Sequence, residues 1–424
     1  MNFEQYLSLS YKSDLIKEIL DSFEKEKVSS FILNPRYNKS FISEIPLLGK
    51  HKFIDNAYYY DNTYKLGNSY LFKNGVLYIQ DASAMMPVEF LKIEKGDSVL
   101  DMCAAPGGKS IDTLLKLDGT GFLLSNEIDY ERSKILSSNI EKFGFPNVVV
   151  SNNDFSEVYK NFKKSFDKII IDVPCSGSFM FRKNEEAFKL WSTNKIVRLL
   201  PIQKNLLEMA SYMLKDGGLI SYSTCSLSPE ENELQINNFL AEHDDFSPIL
   251  TMEDESFYHP DLLKESTYLF PHKFKGEGQF IAILKKIGKS EKSPYVLDNN
   301  YRSILANKYD ITFHSRVRKL DNVYGYFTTV KTNSLKVLRY GVHIALVKGK
   351  IETPTFALAH MNFPFERVIN LTEAEKNRYF WGLGITTEVE NAYYQIKYHN
   401  VPITFAKSVE KLLKNTYPKG LRNK

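Results

Sequence analysis

Between residues 98 and 286, short β-branched and aliphatic runs alternate with stretches whose apolar positions recur every three to four residues. Segments 98–103, 121–127, 147–152, 168–173, 218–225 and 279–285 read as strands, and 109–116, 130–143, 203–214 and 230–243 as helices. Pro229 stands near a helix start, and Gly217 with Gly218 reads as a helix stop and turn. Strands alternating with helices predict a mostly parallel α/β sheet, Rossmann-like, with helices on both faces.

The flanks carry different patterns. Residues 1 to about 80 mix one helical stretch, 11–25, with tyrosine-rich strand-like runs, and predict a small α+β domain. Segment 286–293 (KIGKSEKS) is charged, polar and without bulky apolar residues, so it reads as a linker. Beyond it, TFHSRVRKL, VYGYFTTV, KVLRYGVHIALVKGK and VPITFAKS read as short strands of one or two small β-rich domains. The expected division is 1–80, 81–286 and 294–424.

Composition narrows what such a chain does. With 424 residues, 43% of them hydrophobic and 25% charged, it is long enough for two to four compact units, and no low-complexity tract points to disorder. The start lacks the basic-then-apolar layout of a secretory leader, and no apolar run approaches the ~20 residues that span a bilayer, so a cytoplasmic location away from membranes is expected. Three cysteines, Cys103, Cys175 and Cys225, show no C-x-x-C spacing, which argues against a disulfide framework and against zinc; no metal is expected. Charge is divided unevenly: residues 1–280 hold 31 Lys and Arg against 40 Asp and Glu, and 281–424 hold 24 against 11. A basic module that brings a polyanion to a separate catalytic unit fits this split, as do ordinary β cores with solvated lysines.

The first chemical signal is VLDMCAAPGGKS, residues 99–110. An apolar strand that ends in small residues and paired glycines, then opens a helix, lets a ligand approach the backbone at the carboxyl edge of the sheet. Neither the dinucleotide spacing G-x-G-x-x-G nor the phosphate-loop spacing is present. Acidic residues recur at the ends of the following strands: Glu127, Asp154 and Asp172. Each alone reads equally as a helix cap or a solvated acid. Together they suit the hydroxyls, amine, ammonium and sulfonium of S-adenosylmethionine better than a pyrophosphate.

Cys175 follows Asp172-Val173-Pro174, and Cys225 ends the next predicted strand. Consecutive strands usually lie side by side, so both thiols are expected at one sheet edge near the crevice, rather than as small apolar fillers. Thiols placed there suit methylation of cytosine carbon 5, because thiolate addition to carbon 6 turns the ring into an enamine able to accept a methyl group. Asp172 is placed to hydrogen-bond the pyrimidine near nitrogen 3. On chemistry alone, either Cys175 or Cys225 is the nucleophile.

The segments DMCAAPGGKS, NEID, DVPCSGSFMFRKN and YSTCSLSPEENE, with the approach YIQDASAMMPVEFL, resemble in order and spacing the Sun-type RNA cytosine-5 methyltransferases. Within them the chain is most similar to the bacterial RsmB/RsmF-like rRNA branch, on its RsmF side. The resemblance spans about residues 75–286. It implies that Cys103, Ala104, Ala105, Pro106, Gly107, Gly108, Lys109, Glu127, Asp154 and Asp172 contact S-adenosylmethionine, that Cys225 attacks the base, and that Cys175 assists release. It departs from the family at Phe179, usually Gly, and Val173, usually Ala, both expected near the base pocket. Residues 1–75 resemble the family's N-terminal RNA-binding domain, and those from about 290 its C-terminal extension with a PUA-like domain. The implied substrate is ribosomal RNA, free or within the small subunit, and a monomer is expected. A tRNA cytosine-5 methyltransferase shares every motif; a non-catalytic ribosome-assembly factor would have no need of the thiols; an oxidoreductase lacks its glycine fingerprint.

Overall fold

The computed structural model describes residues 2–182, 188–189, 191–289, 317–320, 323–326, 335–348 and 351–423. The predicted linker beyond residue 289 and the start of TFHSRVRKL lie outside them. Near the N-terminus, β1 (Ser29–Leu33), β2 (Leu47–Lys50), β3 (Ala57–Tyr60) and β4 (Leu77–Ile79) form an antiparallel sheet in the order β2-β3-β1-β4. Successive side chains point to opposite faces. Phe31, Leu33, Tyr58 and Tyr60 share a core with Tyr379, Ile396 and Tyr417 from the C-terminal part. Ile32, Ala57 and Tyr59 face the other way, onto Met85, Met86 and Phe90. A sheet covered on both faces needs no polar alternation, which explains the tyrosine-rich runs.

Helices α1 (Phe3–Leu7) and α2 (Ser13–Phe23) do not join this sheet. Phe3, Tyr6, Leu7, Ile16 and Ile19 are buried instead in the core of the large sheet. That sheet contains β5 (Ser98–Asp101), β6 (Phe122–Asn126), β7 (Val148–Ser151), β8 (Phe166–Asp172), β9 (Leu214–Thr224), β10 (Phe246–Pro248), β11 (Thr267–Leu269) and β12 (Gln279–Lys286). Its order is β10-β12-β9-β8-β5-β6-β7, with β11 paired to β12. Strands β5 to β9 run parallel, and β10, β11 and β12 enter antiparallel. Alternate residues feed two cores: Leu100, Ile169 and Ile171 face one, Val99 and Ile170 the other. The predicted Rossmann-like sheet, helices on both faces, is therefore the observed one.

Two local expectations change. The helix read over 203–214 begins at Thr193 and runs through Pro201 to Met213, with the Ser192 hydroxyl accepting from the Lys195 N–H at 3.3 Å. Gly217 and Gly218 lie inside β9 rather than in a turn. Gly217 has φ +76°, and the register with β8 shifts between Phe166 and Lys168, so the pair marks a bulge.

The C-terminal part adds β13 (Val317–Leu320), β14 (Val323–Tyr326), β16 (Val342–Lys348) and β17 (Ile351–Pro354) in one sheet, and a five-stranded curled sheet beyond residue 367. One strand, β15 (Val337–Tyr340), pairs antiparallel with β7 and extends the central sheet. Arg339 anchors it through Glu141 at 3.1 Å and Ser137 at 2.9 Å. Among the described residues no helix is long and apolar enough to cross a membrane.

Candidate active site

Strands β5 and β8 are neighbours, yet the chain leaves β5 towards β6 and leaves β8 towards β9. At such a switch point the carboxyl ends part and form a crevice. From Asp101 the chain passes through Cys103, Ala104, Ala105, Pro106 and Gly107 into α5 (Gly108–Leu117). Gly107 has φ +117°, which a side chain disfavours, and a Cβ on Gly108 would lie 2.8 Å from the Gln80 side chain. The backbone thus closes on one wall of a cavity of about 240 Å³. Asp101, Cys103, Ala104, Ala105, Pro106, Gly108, Lys109 and Asp172 line it, opposed by Tyr78, Ile79, Gln80, Asp81 and Ala84.

The donor and acceptor pattern suits S-adenosylmethionine. Asp101 is fully buried; Ser110 donates to its Oδ2 at 2.7 Å, while Oδ1 has no partner among the described residues. Burial pushes its carboxyl up to about 7, against the smaller opposing pull of Ser110 and Lys109. Gln80 Oε1 is likewise buried without a partner. Two buried acceptors on residues that line one small cavity suit a ligand that brings hydrogen-bond donors or positive charge, and the cofactor carries an ammonium, hydroxyls and a sulfonium.

Asp172, at the end of β8, accepts from Lys109 Nζ at 2.8 Å on Oδ2, and from Ser223 Oγ at 2.7 Å and Gln279 Nε2 at 3.0 Å on Oδ1. Two of the expected cofactor acids stand along the same sheet edge but off the cavity wall. Glu127 is buried, accepts from the Asp129 N–H at 3.0 Å and lies 3.6 Å from Arg132. Asp154 is exposed and caps the short helix α7 (Phe155–Val158) through the Ser156 N–H at 2.9 Å.

Cys175 follows β8 and Cys225 follows β9, and their sulfurs lie 3.2 Å apart. All three cysteines are free thiols. Hydrogen bonding to Cys225 and burial, reinforced by the charge of Glu231 and Asp172, push the Cys175 thiol well above its ordinary range. Burial among Asp101, Glu127 and Asp172 does the same to Cys103 on the cavity wall. The loops are stitched together: the Phe179 N–H donates to the Cys225 carbonyl at 3.0 Å, and the Leu227 N–H to Ser178 Oγ at 2.7 Å. Val173 and Phe179, expected near the base pocket, are buried in the core beneath it. Phe179 lies against Gly278, where a Cβ would fall 2.2 Å from the ring.

Several residues were not singled out from sequence. Asp101 ends a strand as Asp172 does, and the same strand-end reading finds it. Gln80 and Asp81 lie in the approach segment YIQDASA. Gln279 opens the last strand, and no local pattern marks it.

A switch-point crevice walled by a buried carboxylate with one oxygen left without a partner among the described residues, on a parallel-cored sheet carrying two adjacent thiols, defines a Rossmann-like S-adenosylmethionine-dependent methyltransferase. The family model described as 16S rRNA methyltransferase RsmB/F matches residues 88–285, and that of the methyltransferase RsmF PUA domain matches 366–423. Two regions of the chain thus match models of this RsmB/F family. It is 29% identical over 379 residues to ribosomal RNA small subunit methyltransferase F of Aeromonas salmonicida, covering 82% of this chain and 79% of that protein. Against the protein of the same name from Vibrio cholerae it is 39% identical over 218 residues, covering 50% of this chain and 46% of that one. The chain thus spans less than half of the Vibrio protein in that alignment. Among solved structures, a methyltransferase homologue from Pyrococcus horikoshii superposes with TM-score 0.58 at 25% identity, covering 67% of this chain and 94% of that one. NSun6 from the same organism, solved with SFG, gives 0.60 at 18% identity, covering 68% and 98%.

Proposed function

We propose that this protein methylates carbon 5 of a cytosine in small-subunit ribosomal RNA through a covalent bond from Cys225. The observation that carries the reading is the pair of sulfurs 3.2 Å apart at the edge of the cofactor crevice. S-adenosylmethionine, when bound, supplies an electrophilic methyl group. Asp101 and Gln80 offer it acceptors, and Lys109 fixes Asp172 at the mouth of the cavity. Glu127 and Asp154 stand along the same sheet edge, beyond the residues that line the cavity.

Cys225 adds as a thiolate through sulfur to carbon 6 of the cytosine, its proton passing by way of Asp172 to nitrogen 3 of the base, and the ring electrons make carbon 5 nucleophilic. Asp172, already accepting from Ser223 and Gln279, holds the polar edge of the base. Once carbon 5 carries the methyl group, solvent water takes its proton, the electron pair re-forms the carbon 5–carbon 6 double bond and expels Cys225 as thiolate, and the proton on nitrogen 3 returns to Cys225 by way of Asp172, regenerating the aromatic ring. Cys175 stands beside the leaving sulfur and assists this release. Assignment of the attacking role to Cys225 follows the family's S-T-C segment; the 3.2 Å between the two sulfurs supports a shared reacting centre.

The basic C-terminal part, with its PUA domain, holds the RNA. Cys225→Ala should abolish methyl transfer to rRNA while leaving cofactor affinity within about threefold. Substantial residual transfer would overturn the assignment. Assays on rRNA, assembled small subunits and tRNA, with the product nucleoside identified by mass spectrometry, separate the rRNA reading from tRNA methylation.

A further inference from the structure

The ladder between β8 and β9 ends at Asp172 opposite Ser223, with one further bond from the Val173 N–H to the Ser223 carbonyl. Beyond that point the strands no longer hold Cys175 and Cys225 in register. Besides the bonds from Phe179 to the Cys225 carbonyl and from Leu227 to Ser178, one buried side chain joins the two loops at the residues next to the thiols. Glu231 is fully buried, and no described Lys or Arg pairs with it. Its Oε1 accepts from the Ser176 N–H at 2.8 Å and Gln203 Nε2 at 3.1 Å, and its Oε2 from Ser176 Oγ at 2.5 Å and Ser226 Oγ at 2.6 Å. The two serines also touch each other at 2.9 Å, and each directly follows one of the thiols. Gln203 extends the tie by donating to the Pro174 carbonyl, just before Cys175.

A carboxylate without a counter-ion in the interior is costly unless hydrogen bonds replace its water. Here all four donors come from the two thiol loops or from the glutamine that braces one of them. Tyr222, on β9, donates to the Glu231 backbone carbonyl at 2.6 Å and fixes the main chain as well. The arrangement is therefore aimed at the relative placement of two loops, which a core-filling residue would not require.

We infer that Glu231 is a positioning residue: by accepting from Ser176 and Ser226 together it locks the Cys175 and Cys225 loops in one register, keeping both sulfurs at the same reacting base. This rests on the function proposed above. The charge of Glu231 also falls on Cys175, helping to keep it in the thiol form beside the nucleophile.

The test is Glu231→Gln in the full-length protein. The amide nitrogen must face either the Ser176 N–H and Gln203 or the two serine hydroxyls, which must then turn to accept, so charge-assisted bonds between the loops are lost while volume is kept. Because misplacement of about 1 Å at a reacting centre lowers rates by about 100-fold, kcat for rRNA methylation should fall about 10- to 100-fold with KM for RNA and affinity for S-adenosylmethionine within threefold. In a Cys225→Ser background, Glu231→Gln should also move the pH profile of Cys175 alkylation by iodoacetamide, read on the Cys175 peptide by mass spectrometry, to lower pH. A purely structural role would instead weaken RNA and cofactor binding together with kcat. An unchanged kcat with an unchanged profile overturns the inference. Should Glu231→Gln fail to bind S-adenosylmethionine, Ser176→Ala and Ser226→Ala decide: each should lower kcat, and unaltered turnover in both overturns it. If the unaltered protein methylates no cytosine while the alkylation profile shifts, the function reading fails and the positioning role stands.

Discussion

Asp101→Asn separates what the cofactor cavity needs from what the fold prefers. In the cofactor-free protein the carboxyl is buried and titrates near 7, against an ordinary value of 3.8. Below about pH 4 the folded and unfolded chains both hold the proton, and no difference arises. Between about 4 and 7 the folded chain keeps a proton that the unfolded chain releases, so stability falls as pH rises. Above 7 the penalty is complete, at roughly 3 pKa units or about 4 kcal/mol. Asparagine removes the penalty but weakens the contact with Ser110, worth about 1–1.5 kcal/mol. Cofactor-free Asp101→Asn should thus be more stable than the parent by about 2–3 kcal/mol at pH 8, and the gain should shrink towards pH 5. Binding goes the other way. An amide nitrogen facing the cavity replaces a charge-assisted acceptor worth about 1.5–3 kcal/mol, so affinity for S-adenosylmethionine should drop about 10- to 150-fold at pH 8. In the unaltered protein, affinity should rise with pH up to about 7 and then level off, with proton release on binding. Urea denaturation and titration calorimetry at pH 5, 6, 7 and 8 read both quantities. Equal affinity of the two proteins, or a stability difference that does not vary with pH, would refute the reasoning.

Cys175→Ala should leave the first methyl transfer intact and trap a denaturant-resistant RNA–protein adduct on gels; absence of the adduct means that release does not depend on that thiol. Gly278→Ala places a Cβ 2.2 Å from the Phe179 ring at a backbone φ of +116° and should lower stability by about 2–4 kcal/mol in urea denaturation, whereas a loss below about 0.5 kcal/mol would show that the ring yields freely. Tyr6→Phe removes the hydroxyl that donates to Glu230 Oε2 at 2.5 Å and lies 2.7 Å from Ser228 Oγ, and should reduce kcat and cost about 1 kcal/mol in thermal melts without changing RNA affinity. A selective loss of RNA binding would instead make the N-terminal helix an RNA contact.

The central sheet was legible because its signals are local. Apolar runs of strand length, glycines at the first turn and acids at strand ends lie close in sequence to what they form, and the six predicted strands match β5 to β9 and β12 within a few residues. The flanks were not legible for the opposite reason. The apolar stripe of α2 announces that Ile16 and Ile19 are buried, but periodicity says nothing of the partner, and both pack into the core of the central sheet. Strand β15 reads as one more strand of a β-rich tail. Its pairing with β7 joins residues almost two hundred positions apart and depends on side chains such as Arg339 finding Glu141, which no window of sequence contains.

The acids show the same limit within the site. Asp101, Glu127, Asp154 and Asp172 all follow or close parallel strands, and in sequence they are interchangeable. Burial and partners divide them. Asp154 caps a helix, Glu127 caps its own turn, Asp172 gathers Lys109, Ser223 and Gln279, and Asp101 alone keeps a buried oxygen without a partner at the cavity. Glu231 is hidden more deeply, inside a stretch that reads as the first turn of a helix. The helix begins instead at Glu233, because Glu231 and Asn232 turn their side chains back onto the thiol loops. An acid near a helix start normally serves the helix dipole; this one gives up that place to hold Ser176 and Ser226. The residue that best explains why two distant cysteines meet is therefore one whose sequence context points elsewhere.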